Sequence, residues 1–264
     1  PGSVANPLAP SPSQRTNRLT WSGRAGAGPR PSKGMFGGLK GSIKGSLPEG
    51  KGLPRRSKKE TENIVIKGSD LQLPFQSCEE MLRFNESRGL ALWELAVEYE
   101  CARGGLSADE VFAQMREIVL LLQNAVEIGL AGTEYDDRIL GPQAPNFQQA
   151  LEGGQLLDLG LLNEITLQIS AMMEVKSSMG VIVAAPTAGA CAALPGSVLG
   201  AGKTRGASVD DMTRAMLASG MIGTFIATHS TFAAEKAGCQ AECGAGSGMA
   251  AAALVELAGG NLED

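Results

Sequence analysis

The sequence predicts a mainly α-helical protein, and three observations point to this fold class. Aromatic residues make up only 4% of the 264 residues, whereas sheets favour aromatic and β-branched side chains. Apolar residues make up 43% and repeat at helical spacing along most of the chain after residue 77. Several of these patterns begin with a hydroxyl residue followed three positions later by an acid, which is typical of a helix start. With 35 glycines, the chain is expected to be a multi-helix domain with Gly- and Ala-rich loops.

The charge is divided unevenly along the chain. Residues 1–60 contain twelve of the 23 basic residues and two of the 28 acidic ones. This segment is rich in Pro, Gly and Ser, so we predict a disordered basic tail over residues 1–69 and a folded domain over 70–264. The basic run at 54–59 is interpreted as a solvated linker, with a targeting signal or a polyanion contact as the alternative. The Arg- and Ser-rich start also resembles an organelle transit segment.

The composition also limits the compartment and the partners. Five cysteines without regular spacing do not form a secreted disulfide framework, so reduced thiols and a cytoplasmic location are expected. The body after residue 60 is acidic, which argues against nucleic-acid binding. No window of about 18 apolar residues is present, so no membrane span is predicted.

The helices can be placed by their caps and their apolar periodicity. Capping boxes are predicted at 77–80 and 107–110, and a helix cap is predicted at 208–211. Apolar residues at helical spacing predict helices over 92–99, 111–128, 156–175 and 212–225, and glycine pairs at 104–105 and 129–132 end two of them. The polar segment 133–154 is predicted to be a surface loop. Residues 181–183 could form one short strand, and Pro195 with Gly196 could start another helix.

Two stretches of small residues are candidates for a site. In the first, Thr187 and Gly189 lie at a predicted loop-to-helix junction, where backbone N–H groups could hold an anion such as a carboxylate. A tight helix crossing is the alternative. The second, residues 228–253, contains the only histidine, His229, and two of the five cysteines. Because such small residues bury little apolar area, this stretch is interpreted as built around something other than a side chain.

The polar residues of the second stretch each have two interpretations. His229 alone favours a hydrogen-bonded structural role over a catalytic base. Cys239 and Cys243 would share one face if they lie on a helix, and with Gly238 and Gly244 beside them either could instead project from a tight turn. They are interpreted either as small buried thiols or as metal ligands. Glu235 and Glu242 flank the cysteines and are either surface carboxylates or groups that support a metal or act as a base.

Both stretches carry a family resemblance. Residues 183–196 and 238–254, together with 92–96, 132–142 and 173–180, resemble the iron–sulfur-dependent L-serine dehydratase (L-serine ammonia-lyase) family. The resemblance is to the α chain or catalytic domain and runs from about residue 70 to the end. It implies conversion of L-serine to pyruvate and ammonia in amino-acid degradation and gluconeogenesis, with an oxygen-labile [4Fe–4S] cluster acting as a Lewis acid on the substrate hydroxyl.

The resemblance also implies roles for particular residues. Cys239 matches the first cluster ligand of the family, and Cys243 is expected to be a neighbour. The substrate is expected to lie along the loop formed by Pro186, Thr187, Ala188, Gly189 and Ala190.

Two parts of the family pattern do not occur in this sequence. The other two ligand cysteines are expected beyond Asp264, and the β portion of the enzyme is expected as a separate chain or a fused domain. The chain is therefore expected to be a fragment truncated at its C-terminus, inactive alone, in a homo- or hetero-oligomeric enzyme. The alternative function is a catalytically inactive helical fragment that acts as a partner-binding module.

Overall fold

The computed structural model describes residues 72–136 and 138–264, and within these ranges the protein is built from α-helices and loops without strands. The predicted mainly α-helical class is therefore confirmed for the described chain. The predicted disordered tail, residues 1–69, lies outside the described residues. The helices are α1 (Cys78–Asn85), α2 (Leu92–Gly104), α3 (Ala108–Ala131), α4 (Gln143–Glu152), α5 (Leu161–Ser177), α6 (Ala193–Arg205), α7 (Val209–His229), α8 (Ala234–Ala237) and α9 (Cys239–Ala258).

The predicted hydroxyl caps start three of the helices. The hydroxyl groups of Ser107 and Ser208 accept hydrogen bonds from the backbone N–H three residues on. The carboxylates of Glu110 and Asp211 in turn accept hydrogen bonds from the backbone N–H groups of the two serines. Ser77 also accepts from the N–H of Glu80 at the start of α1, but the Glu80 carboxylate accepts from the N–H of Gln76, so only half of the capping box predicted there is formed. These bonds satisfy N–H groups that have no partner within the helix, which explains why the chain turns into a helix at these positions.

Helix α7 lies at the centre of the fold. It packs against α2, α3, α6 and α9, and its side chains Leu217 and Met221 are fully buried. The predicted apolar positions of α7 therefore form the core, and the α9 helix that carries both candidate cysteines is held directly against this centre. No helix in the described part of the chain is long and apolar enough to cross a membrane.

Close backbone contacts at glycines fix the position of α5. A Cβ atom at Gly129 of α3 would lie 2.0 Å from the carbonyl oxygen of Ala171 on α5. A Cβ atom at Gly196 of α6 would lie 2.4 Å from the Cγ1 atom of Ile169 on α5. Both positions accept only glycine because any side chain would enter the neighbouring helix. The C-terminal end of α5, which reaches the candidate site, is therefore held from two sides.

Two element predictions are wrong. The predicted surface loop 133–154 contains the helix α4. Pro145 is its third residue, where a backbone N–H would have no partner within the helix, so proline is tolerated there. Ala144 of this helix is fully buried. The helix predicted to start at Leu156 begins at Leu161 instead. Gly160 before it has a φ of 54°, a left-handed conformation that interrupts the helix.

The segment between α5 and α6 is an extended loop. Residues 181–183, considered as a short strand, have no strand partner among the described residues and do not form a strand. The helix considered at Pro195 and Gly196 is confirmed as α6, which begins two residues earlier at Ala193. This loop contains the predicted substrate segment 186–190.

Candidate functional site

The loop 186–190 is organised by the hydroxyl group of Thr187. Its Oγ1 accepts a hydrogen bond from the N–H of Ala190 at 2.9 Å. This turn follows a cis peptide bond between Ala185 and Pro186. Because the hydroxyl accepts from Ala190, its own proton is free to be donated in another direction.

The Thr187 hydroxyl donates that proton to α9. Its Oγ1 lies 2.6 Å from Oε1 of Glu242, a distance typical of a hydrogen bond to an ionised carboxylate. The same carboxylate lies over the backbone of Gly189, where a Cβ atom would be 2.9 Å from Oε1 and 3.3 Å from Oε2. The carboxylate next to Thr187 and Gly189 is therefore that of the protein's own Glu242, and it is held by the Thr187 hydroxyl, so anion binding by backbone N–H groups at this junction stays a prediction.

A lysine reaches the same glycine from α5. The Nζ atom of Lys176 donates to the carbonyl oxygen of Gly189 at 2.9 Å. Burial raises the pKa of the neighbouring Cys191 thiol, and the positive charge of Lys176 opposes part of that rise. The loop therefore receives a positive group from α5 and a negative group from α9.

Both candidate cysteines lie on α9, close in sequence to Glu242. Cys239 is the first residue of the helix, three residues before Glu242, and residues at this spacing are neighbours on a helix surface. Cys243 follows one turn after Cys239, so the predicted shared face is confirmed, and both thiols are exposed. The interpretation of small buried thiols is therefore wrong for these two residues.

The residues present provide only part of a metal site. An exposed thiol at the start of a helix is accessible to a cluster, and Cys239 meets that condition. Among residues 72–136 and 138–264, no three or more His, Cys, Asp or Glu side chains come together as a metal-binding group. Cubane iron–sulfur clusters take at least three protein ligands, so the described residues fit one edge of such a site and not the whole of it.

A buried ion pair supports the end of α5 that carries Lys176. The carboxylate of Glu174 accepts hydrogen bonds from the guanidinium of Arg138, the hydroxyl of Thr133 and the N–H of Gln143. Burial raises the pKa of Glu174, but these hydrogen bonds outweigh burial and hold it below its ordinary value. The segment 133–143 is thereby tied to α5 two residues before Lys176.

The remaining candidate residues have simpler environments. The Nε2 atom of His229, at the end of α7, donates to the carbonyl oxygen of Gln76 at 3.0 Å, so the hydrogen bond expected of a structural histidine is present. Glu235 is exposed on the short helix α8, as its surface interpretation requires. Within the predicted loop, Pro186 is half-buried and Ala188 is exposed.

Sequence reasoning missed one residue of the site and part of the role of another. It did not single out Lys176, although this residue lies in the segment 173–180 that carried the family resemblance. It named Glu242 as a carboxylate near a metal but not as the partner of Thr187, which is 55 residues away in the sequence. Whether residues 186–190 bind a substrate stays a prediction.

The comparisons with known proteins agree with this arrangement of motifs. A sequence model of the family described as "Serine dehydratase alpha chain" matches residues 87–264. The chain is 29% identical over 189 residues to "Probable L-serine dehydratase, alpha chain" of Bacillus subtilis (strain 168), covering 72% of this chain and 63% of the relative. It is 31% identical over 190 residues to "L-serine dehydratase, alpha chain" of Peptoniphilus asaccharolyticus, covering 71% and 64%.

A longer relative matches over a similar region. The chain is 30% identical over 206 residues to "L-serine dehydratase" of Streptomyces coelicolor, covering 76% of this chain and 45% of that protein. The chain thus spans less than two thirds of the length of each of these three relatives.

Proposed function

Because the chain belongs to the serine dehydratase alpha chain family, we propose that it is part of the catalytic portion of an enzyme that converts L-serine to pyruvate and ammonia. One observation carries the proposal furthest. The hydrogen bond between Thr187 and Glu242 brings the predicted substrate loop to the helix that begins with Cys239. This contact supports a site in which the predicted substrate segment and the helix of the proposed cluster ligand lie together.

The proposed cofactor is a [4Fe–4S] cluster, and Cys239 is the residue of this chain that would hold it. When bound, the cluster supplies a Lewis acid that makes the substrate hydroxyl a better leaving group. The other ligands are proposed to come from outside the described residues. Cys243, one turn further along α9, is proposed to be a neighbour without a ligand role.

The chain's own residues are proposed to bind and orient the substrate. Residues Pro186 to Ala190 line the site, and the two hydrogen bonds of the Thr187 hydroxyl hold this loop in one conformation. Orientation of this kind lowers the barrier because the reacting groups are already aligned when the substrate binds. The buried ion pair between Glu174 and Arg138 keeps the adjacent end of α5 in place.

The proposed assembly contains more than this chain. The names of two relatives specify an alpha chain, so we propose that a β portion, as a separate chain or a fused domain, completes the enzyme in an oligomer. A cytoplasmic location fits the five cysteines, all free within the described residues, because the proposed cluster and the thiols both need a reducing compartment. The proposed role is amino-acid degradation that feeds gluconeogenesis.

The test is an anaerobic assay of the full-length parent protein with its β portion. We expect pyruvate and ammonia to form from L-serine in equal amounts, with D-serine as the matched control substrate. Protein that contains an intact cluster but forms no pyruvate would contradict the proposal. Binding of a partner by such protein would instead support the alternative of an inactive helical module.

A further inference from the structure

Two side chains of opposite charge converge on the backbone of Gly189. The Nζ atom of Lys176 lies 2.9 Å from its carbonyl oxygen, and the carboxylate of Glu242 lies over its Cα, within 2.9 Å of where a Cβ would be. They come from different helices, α5 and α9, so their meeting is set by the tertiary fold.

These two charges are not neutralised by one another. Neither Lys176 nor Glu242 takes part in an ion pair with any described residue. Both side chains are half-buried, where a charge interacts more strongly with a ligand than it does at a fully exposed position.

Each group also keeps unused hydrogen-bonding capacity. An ammonium group has three donors, and Lys176 uses one on Gly189. An ionised carboxylate accepts at both oxygens, and Glu242 uses Oε1 for Thr187, while Oε2 accepts from no described residue. A positive donor and a negative acceptor on either side of one glycine match the two charged groups of a free α-amino acid.

We propose that Lys176 binds the α-carboxylate of the substrate and that Glu242 binds its α-ammonium group. This inference rests on the proposed function and deepens it, because it assigns the residues that select a zwitterionic amino acid over a hydroxy acid or an amine. Gly189 takes part through its missing side chain, which lets Glu242 lie against the loop. A site with charged partners for both groups rejects analogues that lack one of them, because a partner would then be left unpaired.

The test uses two inhibitors that each lack one charged group. Glycerate has a carboxylate but no ammonium, and ethanolamine has an ammonium but no carboxylate. The full-length enzyme with its β portion is compared with its Glu242→Gln and Lys176→Met variants, by the KM for L-serine and the inhibition constants of both compounds. Glu127→Gln and Lys236→Met are the matched controls, because both residues are exposed.

The expected result is a crossed pattern. Glu242→Gln should raise the KM for serine about tenfold to hundredfold, as expected for loss of a hydrogen bond to a charged group. It should leave inhibition by glycerate unchanged within about twofold, which is the usual range for a residue without contact. Lys176→Met should raise the KM similarly and leave inhibition by ethanolamine unchanged. The control variants should match the wild type.

Three other results would overturn the inference. The first is that either variant weakens the binding of both inhibitors equally, which a purely structural role predicts. The second is that either variant leaves the KM for serine unchanged. The third is a Lys176→Arg variant, which keeps the charge, that binds serine no better than Lys176→Met. A wild-type enzyme that forms no pyruvate refutes the proposed function itself, whereas an active wild type with variants that lack the crossed pattern refutes only the assigned residues.

Discussion

The bond between Thr187 and Glu242 joins the substrate loop to α9, and its strength can be measured. The two oxygens are 2.6 Å apart, and both side chains are half-buried. A hydrogen bond to a charged group contributes about 1.5–3 kcal/mol to stability, and partial exposure to water favours the lower end of that range. We therefore expect a coupling energy of about 1.5 kcal/mol between these two side chains.

A double-mutant cycle isolates that energy. The free energy of unfolding is measured in urea by far-UV circular dichroism for the apoprotein, Thr187→Val, Glu242→Gln and the double variant. The single Thr187→Val variant also loses the bond from Ala190, but the cycle cancels this contribution. The matched control cycle pairs Thr187→Val with Glu127→Gln on the exposed surface of α3.

The two cycles are expected to give different coupling energies. The control cycle should be additive within about 0.5 kcal/mol, which is the usual limit for residues that share no contact. A Thr187–Glu242 cycle that is additive within the same limit would refute the view that this hydrogen bond holds the loop against α9.

Four further variants test the fold by equilibrium unfolding. Gly129→Ala should destabilise the protein by about 3 kcal/mol, because the new Cβ would lie 2.0 Å from a backbone oxygen. Gly248→Ala, where the new Cβ would have no atom within 4 Å, should stabilise it by up to about 1 kcal/mol. Equal effects of the two substitutions on stability would contradict this packing. Met179→Gly should stabilise by about 1 kcal/mol because Met179 has a φ of 60°, and a loss of stability would contradict that strain. The lowered pKa of Glu174 means that its stabilising effect is present above the ordinary carboxyl pKa of 4.5 and is lost as pH falls through the lowered value. Glu174→Gln should therefore be less stable at pH 7 but lose less stability on acidification, and parallel pH profiles would contradict this.

Local signals in the sequence account for most of the helices. The caps at Ser107 and Ser208 and the apolar repeats after them depend only on neighbouring residues, so they could be recognised without tertiary information. Helix α4 could not, because its sequence is polar and contains Pro145, and its stability depends on burial of Ala144 against the rest of the protein.

The candidate site was only partly accessible from the sequence for the same reason. The loop 186–190 and Cys239 were recognisable because each belongs to a continuous motif. The convergence of Lys176 and Glu242 on Gly189 depends on the packing of α5 and α9 around the loop, and no local pattern encodes it.

The most direct test of the central claim compares the two cysteines of α9. Cys239→Ala and Cys243→Ala are prepared anaerobically in the full-length parent, and iron content and pyruvate formation from L-serine are measured on the same samples. Both thiols are exposed and one helical turn apart, so each variant controls for the other. The proposed assignment predicts that Cys239→Ala loses iron and activity together while Cys243→Ala keeps both. Retention of iron and activity by Cys239→Ala would contradict it.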